Sequence, residues 1–276
     1  MGNSVINLDI SNKCTLACGF CERQSKSFNS KIFKDMTLDE FKFIADNHDV
    51  FFCGQVSDPI YNKNFKEMLA YLYKKGKNTS VHTAAYRNNL KFYEDLFNAH
   101  PKATWVFGID GTPPKSSKHR INQKSFALFD VMLHCRLMGM KTVWQVIVFD
   151  FNEKELFVCE HLAKKYDLIL RIIHSNRDVD NKIGGELQPK CLEGKELGYS
   201  AMGYVMPCCW LAEGNVEKKY PKLCNKNTSI VNKDLDAINK AIAEFKGMLK
   251  AKSDNIPLKC WEKCSNKSSQ KSYIYV

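Results

Sequence analysis

The 276-residue chain contains no run of eighteen apolar residues, so nothing in its pattern reads as a membrane-crossing helix. Its opening, MGNSVINLDIS, lacks the basic-then-apolar layout of a secretory signal, and Ile6 stands where a myristoylation site needs Ser or Thr. These absences point to a cytoplasmic protein. There is no internal repeat and no low-complexity tract, which leaves an ordinary globular chain. Acidic residues are in deficit, 30 against 41 Lys and Arg, for a formal charge of +11. The lysines are spread along the whole chain, so the charge reads as a solvated surface and argues against nucleic acid as the partner. At this length and 44% hydrophobic content, one sizeable core plus a small appendage can be buried without disulfides.

Cysteine, by contrast, is plentiful. Twelve cysteines at clustered spacings in a reducing compartment point to metal or redox chemistry rather than to cross-links. Residues 5–10, 50–53, 80–83, 103–110, 142–150 and 168–173 read as strands. Helical stretches alternate with them. Thr37 and Glu40 form a capping-box pattern ahead of Leu38, Phe41 and Ile44. Phe65, Met68, Leu69 and Leu72 make a face that stops at Gly76, and Leu90, Tyr93, Leu96 and Phe97 make another. Phe126, Phe129, Met132 and Leu133 mark a fourth helix, and Asn152 stands as the cap of a fifth over residues 153–166. Six such units in series predict a parallel sheet with right-handed crossovers, curved as an open barrel or wound flat, with working residues at the C-terminal strand ends. The alternation ends at the turn-rich NRDVDNKIGG, and beyond it come six more cysteines, a hairpin over 197–208 and one long helix from Asp234 to about Lys250. The tail has few apolar residues for its length, so something other than a core is expected to hold it.

Directly after the first strand stands CTLACGFC, with Cys14, Cys18 and Cys21 and an aromatic residue, Phe20, before the last cysteine. Four thiolates close a tetrahedral zinc site or an ordinary 4Fe-4S cube, and this loop offers three. A cube held by three keeps one iron open to a ligand. The pattern resembles the signature of the radical S-adenosylmethionine (SAM) superfamily. That resemblance implies a partial (β/α)6 barrel, a SAM-binding 4Fe-4S cluster on Cys14, Cys18 and Cys21, cleavage of SAM to a 5′-deoxyadenosyl radical, and hydrogen abstraction from a substrate held in the barrel. A zinc site that borrows its fourth ligand from elsewhere is the alternative.

The same resemblance assigns SAM contacts at later strand ends. CGQVSDP, residues 53–59, stands where the family has a Gly-Gly-Glu-Pro stretch; Gly54 matches the second glycine, while Gln55 replaces the glutamate, with Asp58 as a second candidate to share the amino-group contact. HTAAYRNN keeps only Thr83 of the family's Thr-Asn-Gly turn. FGIDG supplies Asp110, and Arg120 downstream resembles an arginine that grips the SAM carboxylate in two parallel hydrogen bonds. On strand five, Trp144 and Gln145 point to opposite faces, and Gln145 is the candidate for ribose or substrate. His174 and Arg177 follow strand six, at the end where substrate would lie.

The tail resembles the twitch half of a SPASM domain, a small α+β unit that holds an auxiliary 4Fe-4S cluster. Carried over by position, the ligands are Cys191, Cys208, Cys260 and Cys264, with the last pair spaced CxxxC instead of the commoner CxxC. Cys209 is open to three readings: ligand in place of Cys208, hydrogen donor to a substrate radical, or packing. Cys224 is a spare ligand, a donor or a loop thiol; Cys135 and Cys159 read as core. A zinc ribbon is the rival for the whole group. On this reading the barrel covers residues 1–180 and the auxiliary unit 181–276. The resemblance implies a reductant such as flavodoxin or ferredoxin and a substrate that is a peptide or protein side chain. Oxidation of a small molecule such as a sugar alcohol is the alternative, and a non-catalytic zinc protein is the second.

Overall fold

The computed structural model describes residues 4–26, 28–87, 89–174, 186–193, 196–212, 220–253, 255–265 and 272–275. Arg177 and the turn-rich stretch around it lie outside the described residues.

Six parallel strands follow one another with helices between them: β1 (Val5–Leu8), β2 (Asp49–Phe52), β3 (Ser80–Thr83), β4 (Thr104–Gly108), β5 (Thr142–Val148) and β6 (Ile169–His174). Their order in the sheet is the order in the chain. Strictly sequential order with right-handed crossovers puts every connecting helix on the same face and leaves the other face concave. The helices are α1 (Leu38–Asn47), α2 (Phe65–Lys74), α3 (Leu90–Ala99), a short α4 (Pro113–Ser116), α5 (Ser125–Leu137) and α6 (Leu156–Lys165). α1 starts on the expected capping box, with Glu40 N–H donating to Thr37 Oγ1 at 3.2 Å and Thr37 N–H to the Glu40 carboxylate at 2.8 Å. α2 buries its four predicted residues, and the chain turns out of it at Gly76, whose φ of +67° suits glycine.

The convex-side core is aromatic. Trp105 packs edge-on against Phe97 with centroids 4.8 Å apart, and Phe52 against Phe65 at 5.0 Å. Trp144 packs on Phe129 of α5 and donates its indole N–H to the Ile109 carbonyl at 2.8 Å. Two expectations shift here. The buried stripe of α5 is Leu128, Val131, Met132 and Cys135, while Phe126 is 64% exposed, because α5 presents a face rotated from the one its largest side chains suggested. Asn152 does not cap a helix: its side chain accepts from Phe149 N–H and donates to the Ile147 carbonyl, pinning the turn after β5.

The tail's hairpin, β7 (Glu196–Ser200) with β8 (Tyr204–Met206), joins the same sheet: β7 lies parallel beside β1. A final strand, β9 (Ser272–Tyr275), pairs antiparallel with β6. Among the described residues the sheet therefore has nine strands, ordered β8-β7-β1-β2-β3-β4-β5-β6-β9, and it does not stop at residue 180. Both edges of the parallel six are covered, which removes the unpaired backbone an edge strand exposes. The remaining elements are α7 (Lys190–Glu193), α8 (Leu235–Lys250) and α9 (Leu258–Cys264). α8 is capped by Asp234, which accepts from Ala237 N–H at 2.9 Å. Contrary to the expectation of a coreless tail, Met206, Leu211, Leu223, Cys224, Phe245, Leu249 and Cys260 form a small second core under α8. Among the described residues no helix is long and apolar enough to cross a membrane.

Candidate functional site

The cysteine loop sits at the C-terminal ends of the strands and is tied to its neighbours through backbone groups. Asp58 N–H donates to the Lys13 carbonyl at 3.0 Å, Arg23 donates to the carbonyls of Asn12 and Val56, both at 3.1 Å, and Ala17 N–H donates to the Ile121 carbonyl at 3.0 Å. The loop is thereby fixed to the turns after β2 and β4. Cys14, Cys18 and Cys21 are half-buried. Burial pushes the Cys14 thiol up to about 12, with the Asp58 carboxylate and the Cys18 and Cys21 thiols adding to it. Three thiols close enough to raise one another, on one immobilised loop, suit a cationic cluster that displaces their protons on binding. Among the described residues no three His, Cys, Asp or Glu side chains converge tightly enough to hold a single metal ion.

Two buried carboxylates strap the mouth together. Asp9, which the sequence reading passed over, receives Gln55 N–H at 2.9 Å and Val56 N–H at 2.8 Å, and the Ser57 hydroxyl also donates to it. Gly54 belongs to the same turn: a Cβ there would stand 2.2 Å from the Ser57 carbonyl oxygen, so only glycine fits. Asp58 receives Ala84 N–H at 2.8 Å, Ala85 N–H at 2.9 Å and the Thr83 hydroxyl at 2.9 Å. Asp58 and Thr83, both expected to meet SAM, are thus committed to each other and join the end of β2 to the end of β3. Among the described residues the Gln55 side-chain amide makes no hydrogen bond, which leaves it the open acceptor of this turn.

At the end of β4, Asp110 is fully buried. It contacts His119 Nδ1 at 2.7 Å, receives Ile147 N–H at 2.9 Å, and pairs with Arg120, whose Nε lies 2.9 Å from its carboxylate. Burial alone would raise this carboxyl; Arg120 and His119 carry it below its ordinary value. Arg120 lies across Gly108, where a Cβ would meet its guanidinium at 2.9 Å, and its charge reaches the Cys18 thiol. The arginine expected to grip a carboxylate is therefore already half of an ion pair. His119 Nε2 is buried without a partner beside Phe149, ring centroids 4.4 Å apart, and Phe20, half exposed, stacks on Phe149 at 5.8 Å.

The tail sorts its cysteines. The Cys208 thiol feels its chain neighbour Cys209 and then Cys191, Cys191 feels Cys264, and Cys260 feels Cys208, Cys191 and Cys264, so Cys260 links these four thiols into one group. Cys209 turns the other way, toward Cys53 at the end of β2. Gly198 on β7 makes this possible, because the Cys208–Cys209 backbone rests on it; a Cβ there would meet Cys209 Cα at 2.7 Å. Cys224 is buried in the second core with its sulphur 3.9 Å from Met206 Sδ. His174 is exposed at the end of β6.

Register assigns the concave face. Gly108, Gln145 and Arg171 are aligned across β4, β5 and β6, opposite the face on which Phe107 and Trp144 pack. His82 and Cys53 both feel Arg171, although β3 and β2 are three and four strands from β6. A flat sheet would separate β3 from β6 by about 14 Å at 4.8 Å per strand, so the six strands curl.

No family model and no curated protein matches the chain. Solved structures do. Streptococcus suis SuiB superimposes with a TM-score of 0.64 at 11% identity, over 86% of this chain and 65% of that one. SuiB bound to S-adenosylmethionine gives 0.61 over 94% and 75%, and SuiB bound to precursor peptide SuiA gives 0.63 over 94% and 76%, each at 11% identity. The chain has the fold of SuiB. It spans 65% of the length of the first of these structures, and the likeness is one of fold.

Proposed function

We propose that the chain is a radical SAM enzyme acting on a peptide or protein side chain. The observation that carries this reading is the placement of Cys14, Cys18 and Cys21 on one tethered loop at the C-terminal mouth of a sequentially ordered parallel sheet. SuiB, of the same fold, has been solved with S-adenosylmethionine and with a precursor peptide, which supports both the cofactor and the substrate class. The three thiolates would hold a 4Fe-4S cluster with one iron open, and that cluster with SAM supplies reductive cleavage of the sulphonium and hydrogen-atom abstraction.

The chain's own residues do the positioning. Asp9 and Asp58 hold the turn that offers Gly54 and Gln55 to the cofactor, and they hold the ends of β2 and β3 at one height. The Asp110–Arg120 pair sets a positive charge beside Cys18. Phe20, His119 and Phe149 wall one side and exclude water. Residues 181–276 are read as the auxiliary unit, its cluster held by Cys191, Cys208, Cys260 and Cys264. A four-iron cube spaces its thiolates more widely than one zinc with bonds of about 2.3 Å, which favours the cube for thiols that are neighbours without converging. A flavodoxin- or ferredoxin-type protein would deliver the electron.

Anaerobic reconstitution with iron and sulphide, then dithionite and SAM, tests this. Wild type is expected to release 5′-deoxyadenosine and Cys18→Ala none. Undiminished product from Cys18→Ala refutes the role of the loop.

A further inference from the structure

The concave face carries polar side chains that the fold does not use. His82 on β3, Gln145 on β5 and Arg171 on β6 make no side-chain hydrogen bond or ion pair among the described residues. Arg171 is half-buried, stands beside Gln145 in register, and its charge reaches both His82 and Cys53. A guanidinium presents five N–H donors and no acceptor, and half-burying them without a protein partner leaves those hydrogen bonds unmade within the fold. The fold could have placed an apolar residue here at no loss of packing, as it does at Ile169 and Ile173 on the same strand face. An unpaired, half-buried arginine on the concave face of the sheet marks a site for an anion.

The neighbours leave that charge uncancelled. Burial, with Arg171 adding to it, pushes His82 down to about 4 and keeps the imidazole neutral; burial pushes the Cys53 thiol up to about 12. Asp9 and Asp58, the two carboxylates whose charges also reach Cys53, are committed to the turn after β2 and to the end of β3. The planar guanidinium, a glutamine amide and an imidazole N–H make a donor set matched to the two oxygens of a carboxylate. Position separates this site from the cluster. Arg120 is the arginine whose charge reaches Cys18, whereas Arg171 acts on Cys53.

We propose that Arg171, flanked by Gln145 and His82, receives a carboxylate carried by the substrate. The site deepens the reading above and rests on it: the peptide or protein substrate would present an acidic side chain, or a terminal carboxylate, to the floor of the barrel.

Cys53 reports on Arg171 without an identified substrate. In anaerobically reconstituted protein, its alkylation by anionic iodoacetate and by neutral iodoacetamide is followed by mass spectrometry. Taking the ratio of the two rates removes any change in thiolate fraction or access. The ratio is expected to fall roughly three- to tenfold in Arg171→Gln, as expected for a full charge lost within several ångströms. It should hold in Arg171→Lys and in the surface control Lys31→Gln. Acetyl-Glu-amide should slow iodoacetate at Cys53 in wild type and not in Arg171→Gln, and acetyl-Gln-amide should do neither. An equal ratio in wild type and Arg171→Gln overturns the carboxylate site. So does a loss of SAM affinity in Arg171→Gln, which would assign the guanidinium to the cofactor. Absence of 5′-deoxyadenosine from wild type would sink the enzyme reading instead, and the alkylation ratio reads Arg171 regardless.

Discussion

Asp9 gives the sharpest test of how the mouth is held. Burial, opposed by donations from Ser57, Val56 and Gln55 and by the Arg23 charge, leaves its carboxyl raised from 3.8 to about 6. A folded-state value above the unfolded one means that the native chain binds more protons between these limits. Asp9 therefore contributes most to stability below about pH 3.8, and that contribution is lost as pH rises through about 6. At 1.36 kcal/mol per pH unit, the full swing is about 3 kcal/mol. Asp9→Asn removes the titration and leaves every other carboxylate in place. Urea unfolding followed by circular dichroism from pH 4 to pH 7 should show wild type losing roughly 2 kcal/mol more than Asp9→Asn across that window, since the unfolded-state group is already partly ionised at pH 4. Asparagine keeps one acceptor, so the variant is also expected to be less stable than wild type at pH 4, where the gap is widest. Parallel curves for the two proteins, within about 0.5 kcal/mol, would refute the claim that Asp9 is buried and that its carboxylate straps the turn after β2.

Two further outcomes follow from close approaches in the fold. Gly54→Ala must move the Ser57 carbonyl, 2.2 Å from the new Cβ, and should speed amide exchange at Gln55 and Val56 along with a loss of about 2 kcal/mol or more; unchanged exchange rates would contradict the packing of this turn. Cys208→Ala should leave about four of eight irons after reconstitution, while Cys209→Ala should retain about eight, and the reverse pattern would show that the step over Gly198 is drawn the wrong way round.

The local signals that survived in the structure are those whose physics is local. Thr37 and Glu40 sit three apart and satisfy each other's backbone whatever lies beyond them, so a capping box can be read from four letters. The four apolar residues of α2 share a face because helical spacing puts them there. The loop at Cys14, Cys18 and Cys21 was legible for the same reason, since three thiols within eight residues must remain neighbours in any fold. Phe126 shows where this stops: its size suggested burial, but which face of α5 meets the sheet depends on how the helix is docked.

Sites assembled across strands had no such signature. Asp9 and Asp58 acquire their roles only when strand ends 25 to 47 residues apart are brought to one height, and sequence gave no hint that Asp58 would spend its carboxylate on Thr83 and Ala84. One trace of Arg171 was present, a basic residue inside the apolar run ILRIIH, yet its meaning needed the alternation of faces and the curl of the sheet. Adjacent cysteines 208 and 209 are equivalent as letters. The close seat of their backbone on Gly198 turns one toward Cys191, Cys260 and Cys264 and the other toward Cys53. Chain order and spacing thus carried the parallel sheet and the cysteine loop, because both depend on neighbours in sequence. Which charges are paired, which thiols face each other and which arginine is left open were decided by packing, because those depend on atoms that only the folded chain brings within reach.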